Sequence, residues 1–172
     1  MEWKDKTRQN IFVIFICLCI VVLAATSIQA RHQNEDYAQA YQQYLMGVSS
    51  LRSGEYAQGI KILSQLPPGF NDSFQVLSLL GQAHLHLGQY PEAIRLLKKA
   101  EQANPPFLED ARHLYTLGKA YYLDNQIDAA RLYLTQAQLF TNDEKLTQDI
   151  TELLTLTERS TAADGTTTAQ SN

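Results

Sequence analysis

The hydrophobic positions divide the chain into an apolar N-terminal stretch and a longer region with a repeated pattern. Ile11 to Ile28 carry no charge, and eighteen uncharged residues reach the lower end of a membrane-spanning helix, about 17–25 residues. After Ala30, apolar residues recur at the spacing of helix faces, which predicts a series of amphipathic helices. Residues 160–172 are small and polar with no apolar period, which predicts a disordered tail.

Charges beside the apolar stretch predict its orientation in a membrane. Three basic residues precede the stretch and one follows it: Lys4, Lys6, Arg8 and Arg31. By the positive-inside tendency, residues 1–10 form a cytoplasmic tail, residues 11–30 form a transmembrane signal-anchor helix, and the chain beyond is exported. A cleaved signal peptide is the alternative, because the stretch ends in the small residues Ala24-Ala25-Thr26-Ser27. Cleavage would give a soluble periplasmic protein.

Three copies of one spacing pattern follow. Glycines recur 34 and then 37 residues apart, at Gly47, Gly81 and Gly118. Twelve residues after each glycine comes a small residue, and four residues later comes a leucine: Gly59 and Leu63, Ala93 and Leu97, Ala130 and Leu134. A glycine inside a helix costs about 1 kcal/mol relative to alanine. Its recurrence in one register predicts helix hairpins that cross closely, with the glycine against the small residue.

This pattern resembles the tetratricopeptide repeat (TPR), a helix hairpin of about 34 residues. The middle copy carries most of the motif, as Leu77-x2-Leu80-Gly81-x2-His84 followed by Ala93-x3-Leu97. The resemblance implies an all-α solenoid of three hairpins, with repeats at residues 40–73, 74–107 and 111–144. The first repeat matches least well. The whole chain is similar to small bacterial membrane-anchored proteins of this family.

The two flanks of the repeats are predicted to differ. Residues 31–39 are expected to hold a linker and the start of the first repeat helix. Residues 143–158 predict a helix with Leu146, Ile150 and Leu153 on one face. A repeat array leaves an apolar face open at its end, so this helix is expected to cap it.

Composition excludes several classes of function. The net charge of −4 argues against a nucleic-acid binder, because phosphates require a basic face. Cys17 and Cys19 both lie in the apolar stretch, which excludes a disulfide framework and a cysteine metal site. His84 and His86 point to different faces of a helix, so we expect no shared metal. Because no catalytic set of residues stands out, we expect neither an enzyme nor a cofactor.

The resemblance implies a concave groove lined mainly by the first helix of each repeat. The residues expected to bind a partner protein there are Tyr41, Tyr44, Leu51, Arg52, Gln82, His86, Arg112, Tyr115, Lys119 and Tyr122. This set is aromatic and apolar with three cations and no carboxylate, although the chain after Ala30 holds 11 basic and 16 acidic residues. A partner peptide with aromatic or aliphatic anchors and some acidic character is expected to fit.

The resemblance therefore implies binding rather than chemistry. We expect a membrane-anchored scaffold that holds a partner protein segment while an envelope or membrane complex assembles. Its location would be the bacterial inner membrane, with the C-terminal region in the periplasm. A holdase-like chaperone for exported proteins and a self-associating structural spacer, hence a homo-oligomer, are the alternatives. The clamp that captures C-terminal carboxylates in some family members is not expected, because only Arg112 fits its positions.

Overall fold

The computed structural model describes the backbone of residues 2–103 and 110–169. It describes the side chains of the same residues except 2–14, 24–35 and 161–169. In these ranges every regular element is an α-helix, which agrees with the all-α class that the sequence predicts. The seven helices are α1 (Glu2–Arg52), α2 (Tyr56–Ser64), α3 (Phe74–His86), α4 (Tyr90–Ala103), α5 (Ala111–Leu123), α6 (Ile127–Phe140) and α7 (Glu144–Ala169).

The chain divides into two compact units inside α1, Met1–Gln42 and Gln43–Asn172. Residues 31–39, expected to hold a linker and the start of the first repeat helix, are helical throughout and belong to α1. No glycine or proline occurs before Gly47, and a helix that has nucleated extends by one hydrogen bond per residue. The apolar stretch and the first helix of repeat one are therefore parts of one helix.

Of the predicted membrane span, residues 11–30, the structure describes the side chains of residues 15–23 only. Among the side chains that the structure does describe, no helix offers a stretch both long and apolar enough to cross a membrane. The apolar residues of 15–23 are exposed, up to 68% at Leu23. The span stays a prediction.

Three hairpins form the second unit, and each has a glycine at its crossing point. The end of α1 packs on α2, α3 on α4, and α5 on α6. A Cβ atom added at the three glycines would lie 2.6, 2.7 and 2.8 Å from the nearest leucine atom, in Leu63, Leu97 and Leu134 respectively. All three leucines are fully buried. The glycine therefore faces the leucine side chain, and at Gly81 it also lies against the backbone of the small residue, as the spacing predicted.

The small residue on the second helix leaves room for this close crossing. Ala93 and Ala130 are fully buried, and the backbone oxygen of Ala93 lies 3.3 Å from a Cβ built on Gly81. At the equivalent place in repeat one, a Cβ on Gly59 would collide with the side chain of Leu51. A larger side chain at these positions would separate the helices, so the small residue lets the leucine reach the glycine.

Turns and caps set the ends of the hairpin helices. Gly54, Gly88 and Asn125 have positive φ angles of 84, 73 and 60° in the three hairpin turns. Glycine and asparagine tolerate this left-handed conformation better than other residues. Ser73 caps α3 by accepting a hydrogen bond from the N–H of Val76, and Asp110 caps α5.

The hairpins stack in sequence order, and α7 covers the last of them. The cluster of Ala93, Leu97, Leu117 and Ala120 joins the second hairpin to the third. Leu146 and Ile150 of α7 are buried against Leu114 and Leu134. The helix thus lies where the sequence places the cap, and it contacts both α6 and α5.

The length of α7 differs from the prediction, because the helix continues through Ala169 where disorder was expected from residue 160. Three threonine hydroxyls in its first turns find hydrogen-bond acceptors within the helix. The hydroxyls of Thr147, Thr151 and Thr155 each donate to the carbonyl four residues earlier. Extending an existing helix costs less than nucleating one, so even a threonine-rich segment continues it. Residues 170–172 lie outside the described part.

A buried polar cluster lies between the second and third hairpins. Glu101, 6% exposed, accepts a hydrogen bond of 2.7 Å from Lys98, whose Nζ also donates to the Tyr133 hydroxyl at 2.6 Å. His113, 3% exposed, has its Nε2 4.0 Å from the Glu101 carboxylate. Burial lowers the pKa of His113 and thereby favours its neutral form. His84, by contrast, is partly exposed and hydrogen-bonds Gln89.

Gly118→Val is expected to destabilise the protein by about 2 kcal/mol, because the added carbons meet the buried Leu134 side chain in a filled core. Urea unfolding followed by circular dichroism measures the loss. Leu134→Ala provides the matched background, since truncation of the leucine opens space for the valine. The double variant should lose less than the sum of the single variants, and strictly additive losses would contradict this crossing contact.

Candidate functional site

Three concavities lie along the first helices of the hairpins, and together they form the groove. The first, of about 370 Å³, is lined by Tyr44, Val48, Leu51, Arg52, Tyr56, Leu79, Gln82, Ala83 and His86. The second, of about 330 Å³, is lined by Gln82, Leu85, His86, Tyr115, Thr116, Lys119 and Leu123. The third, of about 540 Å³, is lined by Gln82, Arg112, Tyr115, Thr116, Asp143, Lys145, Leu146 and Asp149. Gln82 borders all three, so the groove is continuous.

Helical spacing explains why these side chains reach one surface. On α1, α3 and α5 the lining residues recur at intervals of three and four, as in Arg112, Thr116, Lys119 and Leu123. Other faces of the same helices carry the crossing glycines and, on α3 and α5, the buried residues Leu77, Leu114 and Leu117. Packing of the hairpins therefore fixes which residues remain free to line the groove.

Eight of the ten residues expected in the groove line it: Tyr44, Leu51, Arg52, Gln82, His86, Arg112, Tyr115 and Lys119. Tyr41 belongs to the first unit and is 45% exposed. Tyr122 is half-buried on α5 and borders none of these three concavities. Partner binding by the eight residues stays a prediction.

The sequence did not indicate the lining residues that come from α2 and α7. Tyr56 of α2 stacks on His86, with ring centroids 4.5 Å apart and planes 4° from parallel. Asp143, which immediately precedes α7, and Asp149 of α7 border the third concavity, so the expectation of a groove without carboxylates is wrong. The resemblance points mainly to the first helix of each repeat, whereas α7 packs beside α5 and adds its own side chains.

Arg112, one of the expected partner-binding cations, is already paired within the protein. Its Nη2 donates to Oδ2 of Asp143 at 2.9 Å. The other oxygen of Asp143 accepts from the backbone N–H groups of Leu146 and Lys145 at 3.2 and 3.1 Å, which caps α7. The bond from Leu146 contributes most to lowering the pKa of Asp143, and Arg112 contributes further. Arg112 is therefore paired, at the surface, with the residue that caps α7.

Tyr115 joins the groove to the core. Its ring packs on the cluster around Leu114 and Ile150, while it borders the second and third concavities. Burial raises the pKa of Tyr115, and the nearby carboxylates of Asp149 and Glu152 raise it further. The hydroxyl is therefore protonated and can donate a hydrogen bond to a bound group. Within the described side chains, no cluster of three or more His, Cys, Asp or Glu is placed to bind a metal ion.

Comparison of the sequence with protein families gives one match. The model described as "Tetratricopeptide repeat" matches residues 44–107 and 78–144, which is more than half of the chain. The matched residues contain the three crossing glycines and the whole groove up to the start of α7. No curated protein sequence is significantly similar to the chain.

Solved structures share the fold at low sequence identity. The second TPR domain of human RPAP3, in complex with an HSP70 peptide, has a TM-score of 0.58 and 14% identity, covering 68% of this chain and 96% of that one. The Yersinia enterocolitica type III secretion chaperone SycD, in complex with a YopD peptide, gives 0.61 and 17%, covering 70% and 93%. PcrH in complex with the chaperone-binding region of PopD gives 0.59 and 16%, covering 70% and 92%. Such identities show the fold alone.

Asp143→Ala is expected to lower the thermal unfolding midpoint more than Arg112→Ala, as followed by circular dichroism. The aspartate caps two backbone N–H groups of α7 as well as pairing with the arginine, whereas the arginine contributes an exposed ion pair only. Asp143→Ser, which keeps a capping oxygen, is the control and should lose less.

The stabilisation that Asp143 contributes should depend on pH. The folded pKa of Asp143 is lowered, so its stabilisation is present above the ordinary aspartate pKa of about 4 and is lost as the pH falls below it. The gap between wild type and Asp143→Ala should therefore close in acid. Equal losses for the two alanine variants at neutral pH would contradict the dominant role of the cap.

Proposed function

Since the chain belongs to the tetratricopeptide repeat family, as its sequence pattern predicted, we propose that its groove binds a segment of a partner protein. The continuity of the three concavities along Gln82 carries this proposal, because it makes an open site that runs from the end of α1 to α7. An extended chain segment suits such a site better than a compact small molecule does. The peptide complexes of the similarly folded RPAP3 domain and SycD support the binding of a peptide segment.

The lining of the groove supports the same proposal. Leu51, Leu79, Leu85 and Leu123 offer apolar contacts along it. Tyrosines from three helices, Tyr44, Tyr56 and Tyr115, add aromatic surface with hydroxyls that can hydrogen-bond. Tyrosine is enriched among the residues that dominate binding energy in protein interfaces, since it combines a large apolar ring with a polar end.

We further propose that residues 11–30 anchor the protein in a bacterial inner membrane, with residues 1–10 in the cytoplasm and the repeats in the periplasm. The absence of charge from Ile11 to Ile28 and the excess of basic residues before it support this arrangement. The exposure of the apolar side chains of 15–23 agrees with it. Anchoring would raise the effective concentration of the groove near membrane-bound partners, which suits a scaffold for complex assembly.

A photo-crosslinking amino acid in place of Tyr115 tests the groove in living cells, with the captured proteins identified by mass spectrometry. One dominant partner is expected, because the groove has a defined pattern of apolar and charged positions. The same amino acid in place of Leu132 is the control, since that residue is 58% exposed on α6, away from the groove.

The other outcomes separate the alternatives. A broad set of exported proteins would identify a holdase-like chaperone, and capture of second copies of the chain would identify a self-associating spacer. Crosslinking at Tyr115 that does not exceed the Leu132 control would contradict binding in the groove altogether.

Ser171→Cys tests the topology, because the native cysteines, Cys17 and Cys19, both lie within the proposed anchor. A membrane-impermeant maleimide should label the new cysteine in intact cells whose outer membrane admits the reagent. Thr7→Cys, in the proposed cytoplasmic tail, is the control and should react only after lysis. If Ser171→Cys also reacts only after lysis, the export of the repeats is wrong.

A further inference from the structure

The basic residues of α4 and α5 differ in how they are neutralised. Four of the five have an acidic partner: Arg95 pairs with Glu92, Lys98 with Glu101, Lys99 with Asp72 and Arg112 with Asp143. In the described part of the chain, the fifth, Lys119, has neither an ion pair nor a hydrogen bond from its ammonium group. Lys119 is thus the unneutralised cation of these two helices.

The position of Lys119 makes the lack of a partner consequential. The residue is half-buried and lines the second concavity together with Leu85 and Leu123. No carboxylate lines this concavity, and the carboxylates of the groove, Asp143 and Asp149, lie in the third. A lysine in a concavity that offers leucines but no carboxylate gains from an anion brought next to it.

The first concavity, which adjoins the second, also has a cation and no carboxylate. The cation is Arg52, which forms no ion pair in the described part of the chain. Two unpaired cations therefore lie in the part of the groove that α1, α2 and α3 share with the middle of α5. At the α7 end, by contrast, Asp143 and Asp149 offset Arg112 and Lys145.

We infer that Lys119 binds the carboxylate of an aspartate or glutamate side chain in the partner segment, while an aliphatic neighbour of that residue packs on Leu85 and Leu123. The inference rests on the proposed function, because it names the chemistry of the segment in the same groove. It gives Arg112 no direct part in binding, since Asp143 already holds that guanidinium. The acidic residue of the partner would be attracted by the local charge at Lys119 and not by the net charge of the protein, because the chain after Ala30 holds 16 acidic and 11 basic residues.

A random peptide library displayed on phage tests this chemistry without knowledge of the natural partner. The library is selected against the full-length protein in detergent micelles, in the wild-type form and as Lys119→Gln. Lys61→Gln is the matched control, because it removes the same charge from an exposed site on α2 outside the groove. The wild type and the control should enrich peptides in which an acidic residue adjoins leucine, isoleucine or valine.

Affinities of the best enriched peptide then quantify the contact by fluorescence anisotropy. Lys119→Gln should weaken binding about tenfold, the scale of a partly buried charge pair. Arg112→Gln should bind close to the wild-type value. Lys119→Glu should recover affinity for the peptide whose acidic residue is replaced by lysine. Lys119 has no partner to lose, so the two Lys119 variants should unfold at the wild-type midpoint.

The failures of the two proposals are distinguishable. Equal enrichment of acidic residues on Lys119→Gln and on wild type would overturn the role of Lys119. Enrichment of apolar peptides without acids, lost in Leu85→Ala, would also overturn it while the groove function stands. No enrichment above the level on empty micelles would overturn both.

Discussion

The fold depends on one contact that occurs three times, a glycine on the first helix of a hairpin against a leucine on the second. At Gly81 and Leu97, for example, any side chain on the glycine would occupy space that the buried leucine already fills. This contact turns one face of each first helix inward and thereby turns the other face outward. The groove residues are these outward faces in series, so the same constraint that holds the hairpins also positions the binding surface.

The last helix gives the groove its asymmetry. By covering the open face of α6, α7 supplies the end of the apolar core through Leu146 and Ile150. Its first turn also brings Asp143 against Arg112 and so neutralises the cation nearest to it. The rest of the groove keeps its unpaired cations among leucines and tyrosines. A helix needed for stability thereby divides the groove into a section with balanced charge and a section with unpaired positive charge.

Helical periodicity predicted much of this structure, because spacing determines which residues share a face of one helix. It indicated the hairpins and the crossing glycines, while the resemblance to the repeat family implied eight of the residues that line the groove. Neither could indicate which helix lies opposite a given face. For that reason the sequence did not reveal that Asp143 and Asp149 border the groove, nor that His113 is buried against Glu101. The unbroken α1 was missed because polar residues alone do not end a helix that lacks glycine and proline.

We propose that a partner segment binds along the concave side of the second unit. Hydrogen exchange of the full-length protein, measured with and without a bound peptide segment, tests this binding. Exchange should become slower in α3, α5 and the first turn of α7 and change less in α4 and α6, because only the former contribute to the groove. Protection concentrated on α4 and α6 would place the partner on the opposite side and contradict binding in the groove.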